Sequence, residues 1–284
     1  MKQLMRGRVR PLGQRDLLAV RALLDRDPVC NVFVSSRLDI GGLNSAALGC
    51  KIYGFERDGG LVSLCHAGAN LVPVGYDEEA FDAFTEKLGP RRFSQSIMGA
   101  VDCVDALYQR LSMRWGDAWG QCREKRMRQP VMSIEGESPV PPDVRVQPAS
   151  VDIFESYFHA AVRMHTEEVG VSPLDPAHSY ETYVMALIRS GRAFAGYDAD
   201  THRTWFKADI GCAHGRLCQV QGVWVDPELR GRGLSIPAMA QVVRLCRKEY
   251  PVVTLYVNDF NTRARRLYEH VGFQTVAELA TILY

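Results

Sequence analysis

The most informative segment of the chain runs Val223-Trp224-Val225-Asp226-Pro227-Glu228-Leu229-Arg230-Gly231-Arg232-Gly233-Leu234-Ser235, followed at once by an amphipathic run through Cys246. Its apolar start predicts a strand that ends at Pro227, and the apolar spacing after Ser235 predicts a helix. Glycine lets the backbone approach a ligand closely, and the first helical N–H groups have no partner within their own helix. Because the helix dipole also favours negative charge there, the segment predicts a pyrophosphate site.

The details of this loop exclude two common nucleotide motifs. The loop contains no Gly-x-Gly-x-x-Gly pattern and no Gly-Lys-Ser/Thr pattern, whose lysine would reach a γ-phosphate. A nucleoside-triphosphate site is therefore not expected. Arg-Gly-Arg-Gly also occurs in loops and tails that bind RNA, so the loop needs a second signal.

A second segment supplies that signal. Residues 252–257 are β-branched and apolar, which predicts a strand, and residues 258–260 predict a turn before a helix capped by Asn261. The helix is predicted to end at Gly272. One face of it carries the apolar residues Ala264, Leu267, Tyr268 and Val271.

Together these segments resemble the GCN5-related N-acetyltransferase (GNAT) superfamily. The resemblance lies in the arginine-glycine loop and in the Asn-x-x-Ala-x-x-Leu-Tyr helix that ends here in Gly272-Phe273. It is close over roughly residues 219–273 and extends back to about Val144 on the order of elements alone. It implies an α/β fold with a mixed α+β sheet flanked by helices, acetyl-coenzyme A (acetyl-CoA) as co-substrate, and no metal.

The resemblance also implies a set of coenzyme-binding residues. Backbone N–H groups of residues 229–235 would hold the pyrophosphate, Arg230 and Arg232 would add charge, and the preceding strand would hydrogen-bond the pantetheine arm. Ser235 stands where the family usually has glycine or alanine, and its hydroxyl is predicted to cap the helix. The full implied set is Val223, Trp224, Val225, Arg230, Gly231, Arg232, Gly233, Leu234, Ser235 and Asn261.

Two catalytic roles follow from the resemblance. Tyr268 takes the place of the general acid near the coenzyme sulfur, although its place on the apolar stripe fits a core residue equally well. Many relatives carry a glutamate on the strand before the loop, where the register places Gln219, and an amide cannot accept the proton. The replacement bases predicted from the sequence are Glu167 and Glu168, with His165 and His214 behind them; two solvated carboxylates at a helix end are the alternative.

The chain is long enough for two modules. With 284 residues it exceeds one average domain, and the proline-containing residues 135–143 predict a linker. We therefore predict modules at residues 1–134 and 144–284. The helix with Val104, Leu107, Tyr108 and Leu111 copies the spacing seen around Tyr268, which indicates a diverged duplication, although any amphipathic helix offers that spacing.

The first module is predicted to be a degenerate copy. Where the second module has its arginine-glycine loop, the first reads Val74-Gly75-Tyr76-Asp77-Glu78-Glu79. Three carboxylates at a helix start already complement the helix dipole and would repel a pyrophosphate. The first module is therefore not expected to bind coenzyme A.

Composition limits the partners and the compartment. The formal net charge is +1, too balanced for a nucleic-acid footprint or a polybasic membrane patch. No apolar stretch approaches the roughly 20 residues of a spanning helix, and residues 1–6 do not start a signal peptide. The eight cysteines form no C-x-x-C pair, which predicts reduced thiols and no zinc site. We expect a cytoplasmic protein that binds neither membrane nor nucleic acid.

The sequence thus predicts an N-acetyltransferase that moves an acetyl group from acetyl-CoA to an amine by direct attack. The acceptor is predicted to be an amine-bearing small molecule, protein or peptide, in a pocket that Trp205, Phe206 and Tyr183 could line. The missing strand glutamate leaves a non-catalytic acyl-CoA sensor as the alternative. An aminoacyl-tRNA-dependent transferase is a third reading, which the net charge disfavours.

Overall fold

The computed structural model describes residues 7–284 and shows a mixed α/β fold, the class that the sequence predicts. Residues 1–6, which the sequence analysis placed in the first module, lie outside the described residues. The first half of the chain contains β1 (Arg8–Pro11), α1 (Leu17–Leu24), α2 (Val32–Gly41), α3 (Ser45–Leu48), β2 (Lys51–Arg57), β3 (Gly60–Ala67), β4 (Asn70–Val74), α4 (Glu78–Leu88), β5 (Ser96–Ala100), α5 (Val101–Trp115), α6 (Asp117–Gly120) and β6 (Glu124–Ile134). The second half contains β7 (Val146–Pro148), α7 (Phe154–Val169), α8 (Ser179–Arg189), β8 (Ala193–Asp198), β9 (Arg203–His214), β10 (Leu217–Val225), α9 (Ser235–Cys246), β11 (Val252–Tyr256), α10 (Thr262–Val271) and β12 (Gln274–Leu283).

The chain divides into two compact units. Unit 2 comprises Met132–Thr275, and unit 1 comprises the described residues through Val131 together with Val276–Tyr284. The sequence analysis had placed residues 276–284 in the second module. In the structure Leu279 pairs with Ala100 and Leu283 pairs with Ser96, so most of β12 extends the sheet of unit 1. A pairing between strands so distant in the chain leaves no local sequence signal.

Unit 1 is a sheet with helices on both faces. Its strands lie in the order β1-β2-β3-β4-β5-β12, and every neighbouring pair is antiparallel except β4 and β5. One core packs Phe81, Phe84 and Leu107 from α4 and α5 against the sheet. A second core packs residues of α1 and α2, including Leu24 and Leu38.

Unit 2 has the same layers. Its strands lie in the order β11-β10-β9-β8-β7, with β10 and β11 parallel and the other pairs antiparallel. Successive residues of β8 point to opposite faces: Phe194 packs in the core of α9 and α10, whereas Ala193 and Ala195 pack in the core of α7 and α8. Three helices of the unit therefore matter for the site described below: α7 on one face, and α9 and α10 on the other.

The two units repeat one topology. Three antiparallel pairs lead to a parallel pair in each, a helix joins the parallel strands (α4 or α9), and another helix follows (α5 or α10). This order favours the predicted duplication more strongly than helical spacing does, because a chance amphipathic helix would not reproduce strand directions. None of the helices within residues 7–284 combines the length and the apolar character that crossing a bilayer requires.

Candidate active site

The loop before α9 leaves a helix N-terminus open. The N-cap residue Leu234 provides no side-chain hydrogen bond, and the helix begins at Ser235. Ser235 is therefore the first helical residue, and its hydroxyl does not cap the helix as the sequence predicted, because the chain turns one residue earlier. The first N–H groups of α9 remain available to an anion.

Two glycines shape this loop by conformation. Gly231 and Gly233 have φ values of 81° and 77°, in the left-handed region that favours glycine. A Cβ atom at either position would meet no protein atom within 4 Å. The space over the helix start is therefore open to a ligand rather than filled by the protein.

The two arginines of the loop differ in their partners. Arg230 donates from Nε to the Val225 carbonyl at 2.9 Å and from a terminal nitrogen to Glu167 Oε2 at 2.6 Å. Its charge is thus partnered within unit 2. Arg232 is exposed, and no hydrogen bond or ion pair to its side chain is found within residues 7–284. Of the two loop arginines, Arg232 is therefore the one whose charge a bound phosphate would neutralise.

Strands β10 and β11 pair over only part of their length. The parallel register joins Leu217 to Val252 and ends with Gln219 opposite Thr254, although β10 continues to Val225. The pairing of β10 with β9 is irregular after Gln219 and again after Gln221. One backbone edge of β10 is therefore unpaired with β11 from Val220 onward, and an extended ligand could bind there as a strand does.

A buried ion pair lies beneath the second irregularity. Lys207 Nζ donates to Asp209 Oδ2 at 2.6 Å and to the Gly222 carbonyl at 3.0 Å. The Tyr157 hydroxyl donates to Asp209 Oδ1, and burial together with the Asp209 charge raises the pKa of Tyr157 far above its usual value. This cluster was not predicted from the sequence. Its available signal was a pair of opposite charges two residues apart, facing one way within an apolar strand.

The two predicted carboxylates end α7 but have different surroundings. Glu167 accepts hydrogen bonds from Trp224 Nε1 at 3.2 Å and from Arg230, so both of its oxygens are engaged. Glu168 is exposed, and its charge acts on Tyr268. Of the two carboxylates, Glu168 is the one whose charge raises the pKa of Tyr268.

Tyr268 is a core residue as well as a candidate acid. Its side chain is buried, and its ring packs edge-on against Phe273 at 5.9 Å between centroids. Burial, and in addition the charge of Glu168, raise the pKa of Tyr268 above its usual value. Asn261 caps α10 as predicted, since its Oδ1 accepts the Ala264 N–H at 3.1 Å.

Of the other residues singled out from the sequence, some are buried in the core and one is exposed at the surface. Trp205 and Phe206 are buried in the core of α9 and α10. Tyr183 is exposed, its hydroxyl accepts a hydrogen bond from Gln221 Nε2 at 2.7 Å, and burial of the hydroxyl together with the Asp209 charge raises its pKa to about 12. Gln219 is buried, and its Oε1 lies 3.5 Å from the thiol of Cys212.

The two predicted histidines lie in different places. His165 packs edge-on against Tyr180, with 5.4 Å between ring centroids. His214 pairs with Leu217 at the far end of β9 from Lys207. His214 lies seven positions from Lys207 along the strand, which is over 20 Å at about 3.3 Å per residue. Only His165 lies near the C-terminal half of α7.

A cavity of about 790 Å³ lies against the part of α7 between Glu155 and Arg163. Its walls come from the first half of α7, from the β8–β9 hairpin and from the end of β10 at Trp224 and Asp226. Arg163 and Arg203 line it, and both lie in ion-pair range of Asp226. The cavity therefore reaches the same end of β10 that the arginine-glycine loop follows.

Solved structures of known proteins share this fold. The chain superimposes on a GCN5-related N-acetyltransferase from Sphaerobacter thermophilus with a TM-score of 0.64 at 12% identity, covering 98% of this chain and 95% of that one. A tandem GNAT protein from the clavulanic acid biosynthesis pathway gives a TM-score of 0.54 at 12% identity, covering 97% and 98%. At these identities the likeness shows the fold alone.

The sequence matches two family models, each over part of the chain. A model described as the acetyltransferase (GNAT) family matches residues 154–273, and a domain of unknown function, DUF4081, matches residues 50–157. The GNAT family match thus lies within unit 2, and the DUF4081 match begins before it. Eighty residues are 40% identical to mycothiol acetyltransferase from Thermobispora bispora, spanning 28% of this chain and 27% of that enzyme.

Proposed function

We propose that the protein is an N-acetyltransferase whose unit 2 binds acetyl-CoA between β10 and the N-terminus of α9 and transfers the acetyl group to an amine. The observation that carries the proposal is the uncapped start of α9 directly after a strand that has separated from its parallel neighbour. A diphosphate and an extended amide-containing arm require these two features side by side.

Donor binding is assigned to the loop and the strand edge. The backbone N–H groups of residues 231–235 would receive the pyrophosphate, with Arg232 as the unpartnered cation. Val223–Val225 would hydrogen-bond the pantetheine arm, and Asn261 would contact the cofactor while it caps α10. Arg230 is proposed to hold the loop against α7 through Glu167, rather than to bind phosphate itself.

Starting from a protonated amine, the reaction removes two protons from the nitrogen: one leaves through a base before the attack, and the other ends on the departing sulfur. A primary amine with a pKa near 10.4 costs about 4 to 5 kcal/mol to deprotonate at pH 7, so a base is needed. Glu168 is proposed for that role, through water, because it lies at the end of α7 and its charge acts on Tyr268. The amine nitrogen then attacks the thioester carbon, the C–S bond breaks, and the acetylated amine and the free coenzyme thiol are the products.

Tyr268 is proposed to assist the departing sulfur as a hydrogen-bond donor. A coenzyme thiol has a pKa of about 8.5, and a tyrosine with a pKa above 10 is at least about 2 kcal/mol too weak an acid to protonate its thiolate fully. Burial makes Tyr268 weaker still. Tyr268→Phe is therefore expected to lower turnover about tenfold while leaving acetyl-CoA affinity unchanged.

Calorimetry with acetyl-CoA tests donor binding. The double variant Gly231→Ala/Gly233→Ala should lose binding, because both positions require positive φ. Gly215→Ala is the matched control: its φ is 56°, it lies in the β9–β10 turn of the same unit, and a Cβ there also meets nothing within 4 Å. Equal affinity in the double variant and the control would contradict the proposed site.

Release of free thiol with a panel of amines and peptides tests transfer. Glu168→Gln should abolish most turnover, and its neighbour Glu167→Gln serves as the comparison, since it alters the loop contact instead. A non-catalytic acyl-CoA sensor is the second candidate, favoured by Gln219 in place of a strand carboxylate. Thiol release that depends on any acceptor would exclude the sensor, and binding without release across the panel would favour it.

A further inference from the structure

Lys207 is a buried cation for which the proposed reaction has no assigned use. Its side chain is 0% exposed, and that of its partner Asp209 is 6% exposed. Taking two charges out of water is costly, and an apolar pair in such a place is often neutral or better for stability. The stability of the fold therefore does not by itself explain why the Lys207–Asp209 ion pair is buried next to β10.

The ammonium is fitted closely to the irregular backbone at Gly222. Gly222 has φ 59°, and a Cβ there would lie 2.8 Å from Lys207 Nζ, 2.9 Å from Asp209 Oδ2 and 3.1 Å from Met164 Cε. Glycine is therefore required at this position both by its conformation and by the approach of the ion pair. Lys207 Nζ uses this proximity to donate to the Gly222 carbonyl at 3.0 Å.

That carbonyl shares a peptide unit with the Val223 N–H. The described chain contains no cis peptide bond, so the C=O and N–H of this unit point in opposite directions. The Val223 N–H thus points away from Lys207, on the part of β10 that β11 no longer pairs with. A cation bonded to the carbonyl polarises the peptide and makes its N–H a stronger donor.

We propose that Lys207 is a positioning residue for acyl transfer. Held by Asp209, its ammonium fixes and polarises the Gly222–Val223 peptide, so that the Val223 N–H stabilises the negative charge that forms on the thioester oxygen during attack. A fixed donor aimed at developing charge in a site shielded from water is one of the strongest contributions to catalysis. The inference rests on the proposed acetyl-CoA site. It adds an explanation of how the thioester carbonyl of the bound acetyl-CoA is polarised.

Isotope-edited infrared spectroscopy of bound acetyl-CoA, labelled with ¹³C at the thioester carbonyl, tests this role without an acceptor. A stronger donor lowers the carbonyl stretching frequency, so wild-type protein should shift it below the value in water. Lys207→Met/Asp209→Asn should return it toward the value in water. The double substitution is used because Lys207→Met alone would leave a buried carboxylate without its partner.

Gln241→Leu is the matched control. Gln241 is also fully buried in unit 2 and donates to a backbone carbonyl, that of Val146, at 3.0 Å. Its loss should leave the bound carbonyl frequency as in wild type. If the double variant does not fold, Gly222→Ala gives the same readout, because the added Cβ displaces the ammonium from the carbonyl.

The outcomes separate the two proposals. Failure of wild-type protein to bind acetyl-CoA overturns the proposed function and this inference together. Normal binding with the wild-type frequency retained after displacement of Lys207 overturns the inference alone. Once an acceptor is known, the double variant should lose about 100-fold in kcat while its affinity for coenzyme A stays within about twofold, the pattern expected for an interaction made in the transition state.

Discussion

Two helices at equivalent places in the two units begin in opposite ways. Helix α4 is capped by Asp77, whose side chain accepts the Ala80 N–H at 2.9 Å, and its first two residues are Glu78 and Glu79. Helix α9 has Leu234 at its N-cap, no side-chain cap, and Ser235 as its first residue. Unit 1 thus fills its own anion position with a carboxylate, and unit 2 leaves the position open.

The arginines near the two helix starts differ in the same way. Arg57 donates two hydrogen bonds to Asp77, at 2.7 and 3.0 Å, and one to Glu79 at 2.8 Å. No such partner engages Arg232 within the described residues. One topology can therefore hold either an internal ion pair or an external anion, and the choice depends on a few side chains at the helix start.

Converting the start of α9 into that of α4 should have the largest effect. Ser235→Glu places a carboxylate at the first helical position, as Glu78 is placed in α4. Repulsion from a phosphate at 4 to 8 Å amounts to about 2 to 4 kcal/mol near a protein surface, a loss of about 30- to 1,000-fold in affinity. Calorimetry with coenzyme A at low salt measures it.

Ser235→Gln is the neutral control for size and should bind nearly as well as wild type. The loss in Ser235→Glu should also shrink as salt is added, because exposed charges are screened. Equal weakening by both substitutions would show that bulk, rather than charge, governs the open helix start.

Removing either arginine of the loop before α9 should have a smaller effect on coenzyme A affinity. Arg232→Ala removes the unpartnered cation and should weaken coenzyme A about fivefold, roughly 1 kcal/mol for an exposed contact. Arg230→Ala should stay within about twofold of wild type, because Arg230 is already paired with Glu167. The same titrations measure both variants, and the reverse order of effects would refute the assignment of Arg232 to the phosphate.

Local features of these sites were predictable from sequence. The Asn261 cap, the left-handed Gly272 and the helix that ends at Cys246 depend on residues a few positions apart, and all three were predicted, although that helix begins one residue earlier than predicted, at Ser235. The carboxylates at the start of α4 were also predicted from residues next to one another in the sequence. Short-range rules suffice where the determining contacts are short-range.

Long-range contacts were not predictable. The Arg230–Glu167 pair spans 63 positions, and the contact of Lys207 with Gly222 depends on where β9 and β10 lose register. The pairing of β12 with β5 joins Leu279 to Ala100 and Leu283 to Ser96, which are about 180 positions apart in the chain. A single sequence fixes neither strand register nor partner at such separations, because many registers satisfy the same apolar pattern.

Removing the internal anion from unit 1 should have the smallest effect, and it should depend on pH. Although burial opposes ionisation, hydrogen bonds from Arg57 and the backbone hold the pKa of Asp77 below its usual value. Its charge therefore stabilises the fold above the unfolded pKa of about 3.9, and that stabilisation is lost as the pH falls through the folded pKa. Asp77→Asn keeps a good N-cap but removes the charge, whereas Asp77→Ala loses both, at a cost of about 1 kcal/mol.

Hydrogen exchange of the amides in Glu78–Leu88, followed in urea between pH 7 and pH 3, measures this difference for unit 1 separately from unit 2. Asp77→Asn should be less protected than wild type at pH 7 and should converge with it at the acid end, whereas Asp77→Ala should stay less protected throughout. A gap between Asp77→Asn and wild type that widens on acidification would mean that Asp77 is protonated in the folded protein. Neither variant should gain affinity for coenzyme A, because Glu78 and Glu79 still occupy the start of α4.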